Sequence, residues 1–125
     1  MSAQTESICI LDNDRSVRRS IERLLDSDGL TAKSFQDGEG FLAYARSHTV
    51  PVAVLDVRMP ETSGLEVQAR LNEVSPHTKV IVVSGRETPA IRAAAMQGGA
   101  FAFLTKPFDD ETFLALVRQA LHSTA

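Results

Sequence analysis

Four positions in this sequence carry side chains that could do chemistry together. They are the run Asp12-Asn13-Asp14, then Asp56, Ser84 and Lys106. Neighbouring carboxylates repel one another, and a divalent cation relieves that repulsion. Oxygen-rich sites suit Mg²⁺, which is commonly held by one or two carboxylates, a phosphate oxygen and waters. A lysine adds a mobile positive charge for a phosphoryl oxygen. The Ser84 hydroxyl can bond another such oxygen, and Gly85 beside it leaves room for the group to approach. A carboxylate, a metal, a lysine and a hydroxyl make a phosphoryl-transfer site, with the carboxylate as nucleophile and an aspartyl phosphate as product. Singly, each residue has a duller use: Asp14 or Asp56 as a helix cap, Ser84 in a turn, Lys106 as a solvated charge. The chemistry requires that they converge.

The elements around them predict that convergence. Each of the four positions closes a short apolar run: Ser7–Leu11, Val52–Leu55, Lys79–Val83 and Ala100–Leu104. A fifth run, Leu30–Phe35, alternates with polar residues and reads as a strand nearer a sheet edge. Between the runs the period becomes helical. Val17, Ile21, Leu24 and Leu25 share a face after the cap Asp14, with Asp28-Gly29 as the stop. Asp37-Gly38 reads as a turn before a helix with Phe41, Leu42 and Ala45. Pro60 and Gly64 break the pattern after Asp56. The next helix starts near Ser63, faces Leu65, Ala69 and Val74 inward, and stops at Pro76. Thr88-Pro89 suits the start of a helix with Ile91, Ala94 and Ala95, closed by Gly98-Gly99. Asp109 or Asp110 opens a last helix with Phe113, Leu116, Val117, Ala120 and Leu121, and polar residues 122–125 follow it.

Strands alternating with helices call for an α/β fold with a parallel sheet covered on both faces. The common order for this pattern is 2-1-3-4-5, with its switch point between the first and third strands. Carboxyl ends in a parallel sheet share one edge, so Asp12 and Asn13 would lie beside Asp56, with Ser84 and Lys106 nearby. At 125 residues this is one domain. A net charge of −3 offers no basic surface for nucleic acid. The single Cys9 excludes an internal disulfide and suits a reducing compartment. Neither a signal peptide nor a stretch of membrane-spanning length is visible, so the expected location is cytoplasmic. His48, His77 and His122 have no metal-ligand spacing.

The sequence resembles the receiver domains of two-component response regulators, a flavodoxin-like (CheY-like) (βα)5 fold. The resemblance runs over essentially all of residues 1–125. It rests on the acidic cluster after the first strand, LDVRMP followed by Gly64, VVSG after the fourth strand, and GGAFAFLTKPF around the fifth. The wording of Met96–Phe108 is most similar to the FixJ-like branch, whose receivers usually precede a helix-turn-helix domain; any such output domain would lie outside this chain. The resemblance implies that Asp56 is the phosphoacceptor, Ser84 the switch hydroxyl and Lys106 the phosphoryl-contacting lysine. It implies a cis peptide before Pro107, a rotamer switch at Phe103 that moves inward on phosphorylation, and a metal site of Asp12, Asn13, Asp56 and the Arg58 carbonyl. Arg58 and Arg86 would border the site. A histidine kinase would be the partner, and the face made by the fourth helix, fifth strand and fifth helix a homodimer surface. Self-dephosphorylation would be its only turnover.

One departure stands out. The family's second acid, the direct metal ligand, is Asn13 here. An amide still offers a carbonyl oxygen but no charge, so a weakened Mg²⁺ site is expected. Two other readings compete. A degenerate receiver would bind partners without being phosphorylated, and Asn13 is its support. A haloacid-dehalogenase-like phosphohydrolase would use Asp12 as nucleophile, with Asp109-Asp110 as its later acid pair. That reading leaves the segment after Asp56 without a role.

Overall fold

Each apolar run forms a strand and each periodic stretch a helix. The computed structural model describes residues 7–59, 62–85 and 89–123. Pro60, Arg86, Thr88 and the last two tail residues, expected to act as a breaker, a rim, a cap and a polar end, lie outside the described residues. The elements are β1 (Ile8–Leu11), α1 (Arg15–Ser27), β2 (Ala32–Phe35), α2 (Gly38–Ser47), β3 (Val52–Asp56), α3 (Gly64–Val74), β4 (Lys79–Ser84), α4 (Pro89–Gln97), β5 (Ala102–Thr105) and α5 (Asp110–His122). All strand pairs are parallel and the order is β2-β1-β3-β4-β5, as expected. The polar β2 does take an edge.

The two-residue period of the strands divides the core between two sheet faces. Cys9, Leu11, Ala53, Leu55, Val80, Val82 and Phe103 point toward α2, α3 and α4, where Phe41, Leu42, Val67, Leu71 and Ala95 meet them. Ile8, Ile10, Val52, Val54, Ile81 and Val83 point the other way, toward Ile21 and Leu25 of α1 and Phe113, Leu114 and Val117 of α5. Each large side chain so buried contributes roughly 1.5–3 kcal/mol. β1, β3 and β4 are apolar on both faces because both faces are covered.

The helix ends follow local rules. Asp14 caps α1 by accepting the Ser16 and Val17 N–H groups. Gly29, at φ +77°, closes it as Gly29 N–H bonds Asp26 O and Leu30 N–H bonds Leu25 O. Asp109 is the α5 cap. Asp37-Gly38 is a helix start rather than a separate turn: Asp37 accepts the Gly40 N–H and Gly38 is the first helical residue. A second correction falls on α3. Its buried face is Gly64, Val67, Gln68 and Leu71, while Ala69 is exposed and Leu65 and Val74 are half-buried. The capping box of Ser63 and Glu66 sets the helix phase, and it is rotated from the assumed one. On α4 only Ala95 is buried; Ala94 faces solvent. Among the described residues no helix is long and apolar enough to cross a membrane.

Candidate functional site

The register of the sheet sets the site. Leu11 pairs with Leu55, so the next residues, Asp12 and Asp56, stand side by side at the switch point. Asp56 pairs with Val83, and Ser84 pairs with Thr105, which brings Ser84 and then Lys106 to the same edge. The Lys106 ammonium closes the group: Nζ lies 2.9 Å from Asp12 Oδ2 and 3.2 Å from Asp56 Oδ1. Residues 94 and 50 positions apart in sequence thus form one ion-paired cluster. Asp12 is 3% exposed, Asp56 5% and Ser84 0%. So exact a burial of charge is tolerated only with a partner, and Lys106 is the partner of both acids.

The backbone holds these side chains from behind. Lys106 N–H bonds Ser84 O at 2.7 Å, and Val57 N–H bonds Val83 O at 2.9 Å. The Lys106–Pro107 peptide is cis. Asp12 is fixed through both carboxylate oxygens, Oδ1 accepting the Asp14 N–H at 2.9 Å and Oδ2 the lysine. Its carbonyl accepts Arg18 Nη1 at 2.7 Å. Asp14 stands outside the cluster, exposed and engaged in capping α1.

Burial pushes the Asp56 carboxyl above its ordinary range, and the Asp12 charge adds to the effect. The Lys106 ammonium and a hydrogen bond from the Arg58 backbone pull the other way without cancelling it. For Lys106, burial works against the ammonium. The hydrogen bond it donates to Asp12 and the charges of both acids outweigh it, and the lysine is held above its usual value. An electron-rich carboxylate beside a fixed cation, at an edge open to solvent, suits attack on an electrophilic phosphoryl group.

Asn13 is exposed and lines a cleft of about 490 Å³ with Gln36, Asp37, Glu39, Met59 and Thr62. The Arg58 side chain is likewise exposed. The donor set expected for a hard cation, Asp12, Asn13, Asp56 and the Arg58 carbonyl, thus combines two buried carboxylates with two residues whose side chains are exposed. Among the described residues no three acids, histidines or cysteines gather as a metal cluster. The donor chemistry fits Mg²⁺, with one negative charge fewer than an acid at Asn13 would supply. Phe103 lies away from the acids, 7% exposed, between the sheet and α4, with the Arg92 guanidinium 5.5 Å from its ring centre. The expected inward swing starts here from a ring that is already inward.

Two residues that the sequence reading did not assign to the site belong to its frame. Arg18 has no signal beyond lying one helical turn after the cap. Gly64 was read as a breaker and as the glycine that follows LDVRMP, without a structural role, yet a Cβ there would lie 2.1 Å from Asp56 O. Helix α3 starts directly against the backbone of Asp56.

Comparison with known proteins agrees with this fold. The family "Response regulator receiver domain" matches residues 8–118. Response regulator protein TodT of Pseudomonas putida is 37% identical over 121 residues, 97% of this chain and 53% of TodT. Transcriptional regulatory protein FixJ of Azorhizobium caulinodans is 39% identical over 116 residues, 93% of this chain and 55% of FixJ. The chain thus spans about half the length of these relatives. Among solved structures, the beryllofluoride-activated NtrC4 receiver domain dimer superposes with a TM-score of 0.88 at 29% identity, covering 92% of this chain and 95% of that one.

Proposed function

This chain belongs to the response regulator receiver domain family, and from that premise we propose that it is a phosphoacceptor switch, taking a phosphoryl group onto Asp56 from a histidine kinase. Receiver domains are signalling domains of two-component systems rather than conventional enzymes, and they generally bind Mg²⁺ at the acidic pocket. The observation that carries the proposal is the single ammonium of Lys106 shared by two buried carboxylates at the switch point.

In the proposed reaction an Asp56 oxygen attacks phosphorus as the phosphorus–nitrogen bond of a phosphohistidine breaks. The electron pair leaves with the imidazole, which is protonated as it departs. Lys106 follows the negative charge from the carboxylate to a phosphoryl oxygen, and the Ser84 hydroxyl donates to another. Asp12, Asn13, Asp56 and the Arg58 carbonyl would hold Mg²⁺, which supplies charge neutralisation at the phosphoryl oxygens. Asn13 lowers the negative charge of that set, so metal binding is weaker than for an acid. Magnesium titration of the protein and of Asn13→Asp tests this point, and equal affinities reject it. Hydrolysis of the aspartyl phosphate resets the switch.

The readout proposed is a population shift of the α4–β5–α5 face. Receiver domains can dimerise on activation, as NtrC4 does. Met96, 45% exposed on α4, offers that face an apolar contact. Residues 1–125 would act as the receiver of a cytoplasmic regulator whose output domain, as in the FixJ-like branch, controls transcription. Incubation with acetyl phosphate and Mg²⁺, then mass spectrometry of the wild type and Asp56→Ala, is the test. The expected result is one phosphoryl adduct that is absent in the variant. The absence of any adduct at high Mg²⁺ favours the degenerate receiver to which Asn13 points.

A further inference from the structure

Asp12 sits where β1 leaves the sheet, and a side chain rather than a strand holds its carbonyl. Its N–H still joins the sheet, bonding Phe35 O at 3.2 Å. The carbonyl, one residue past the Leu11–Leu55 pair that ends the β1–β3 register, accepts Arg18 Nη1 at 2.7 Å. Arg18 is half-buried near the start of α1. Helix side chains lean toward the N-terminus, so an arginine there reaches back to the strand end. The cap Asp14 sets that reach. Its carbonyl accepts the Arg18 N–H at 3.0 Å, and its carboxylate holds the Ser16 and Val17 N–H groups.

Asn13 therefore stands between two tied peptide groups. The one before it is held at its carbonyl by Arg18, and the one after it at its N–H, which Asp12 Oδ1 accepts at 2.9 Å. Asn13 itself lines the cleft. A carboxylate attracts a cation from a distance, whereas a neutral amide contributes only where its oxygen is already in place. The Arg18 guanidinium also carries a positive charge, which by itself repels a cation. Geometry and charge thus act in opposite directions. We propose that Arg18 is a positioning residue of the pocket. It fixes the Asp12–Asn13 peptide, and this hold outweighs its charge, so that removing Arg18 weakens Mg²⁺ binding instead of strengthening it. The hold stands on geometry alone; its effect on the cation rests on the reading of the pocket as a Mg²⁺ site.

Calorimetric titration of Mg²⁺ and Ca²⁺ into the wild type, Arg18→Met and Arg18→Lys is the test. Arg18→Met keeps the apolar stem and removes both donor and charge; Arg18→Lys keeps a charged donor. Groups that orient a ligand without touching the metal are worth about 10–100-fold in affinity, and a loss of about tenfold is expected for Mg²⁺ in Arg18→Met. The loss for Ca²⁺ should be smaller, because Mg²⁺ demands near-octahedral geometry and Ca²⁺ accepts a looser one. Arg18→Lys should recover most of the affinity. Equal or tighter Mg²⁺ binding in Arg18→Met overturns the proposal, since the guanidinium is then a bystander or a repelling charge. So does an equal loss for both metals that Arg18→Lys leaves unrepaired, the mark of general loosening. Hydrogen exchange at the Asp14 amide reads the hold without metal. Acceleration on the order of tenfold is expected in Arg18→Met, and an unchanged rate overturns the hold. Arg18→Gln repeats both measurements if Arg18→Met does not fold. A wild type that binds neither metal but shows the exchange effect keeps the hold and counts against the metal site of the proposed function.

Discussion

Replacing Gly64 by alanine tests how closely the site is built against its helix. The added Cβ would lie 2.1 Å from Asp56 O, 2.8 Å from Asp56 C and 3.1 Å from Val57 Cα. Favourable non-bonded separations begin at about 3.5 Å, so α3 or the end of β3 must retreat by about 1.4 Å from the 2.1 Å contact. The obstacle is main chain, which cannot rotate aside as a side-chain tip can. Overpacking of this kind costs about 1–3 kcal/mol, and a backbone obstacle belongs at the upper end. Better helix propensity returns less than about 1 kcal/mol at this first helical position. The net expectation is a loss of about 2 kcal/mol, or a fall in Tm of roughly 6–12 °C. Gly85→Ala is the control, because among the described residues nothing lies within 4 Å of its Cβ. It should stay within about 0.5 kcal/mol of the wild type. Urea unfolding monitored by circular dichroism reads both variants, and phosphorylation by acetyl phosphate reads the displacement of Asp56. If Gly64→Ala unfolds at the same urea concentration as Gly85→Ala and labels like the wild type, the close approach is not a constraint and the reasoning fails.

Further outcomes follow from the charged cluster and the buried thiol. Lys106→Met leaves Asp12 and Asp56 buried without a counter-charge and should cost about 2–3 kcal/mol at neutral pH, below the full cost of breaking a buried pair because the lysine is partly solvated. Since Lys106 is held above its usual 10.5, its contribution is whole below that pH and is lost only as pH rises through the raised value; urea curves from pH 7 to 11 follow it. Asp56 has the opposite sign: its raised carboxyl binds a proton more tightly in the folded state, so it destabilises above the ordinary 3.8 and not below. Asp56→Asn should therefore be more stable than the wild type at pH 7, with the difference vanishing in acid; a less stable variant at pH 7 would contradict the assigned cause. Cys9 is fully buried with its thiol pushed up to about 12, so iodoacetamide at pH 8 should modify it only after denaturation.

Much of this was legible in the residues. The apolar runs of Ile8–Leu11, Val52–Leu55 and Lys79–Val83 could only be covered strands, and alternation with helical periods leaves few topologies for them. Caps at Asp14, Ser63 and Asp109 are local chemistry, so the helix starts were readable too. Because parallel strands share a carboxyl edge, the gathering of Asp12, Asp56, Ser84 and Lys106 followed from the same pattern. What reading by pattern missed was helix phase where side chains are small or polar. Ala69 looks like a core residue and Gln68 like a surface one, yet the reverse holds: Gln68 is buried and donates to the Ala95 carbonyl of α4, while Ala69 is exposed.

The sequence by itself therefore determined the element order, the sheet edge and the identities of the polar residues on it, since these depend on periodicity and on the two-faced burial of parallel strands. Only the tertiary structure decided that one ammonium serves both acids, that α3 begins against the Asp56 backbone, and that Asn13 turns toward the cleft beside Met59. Those are matters of a few ångströms between residues distant in the chain. Periodicity carries no information on that scale; packing does.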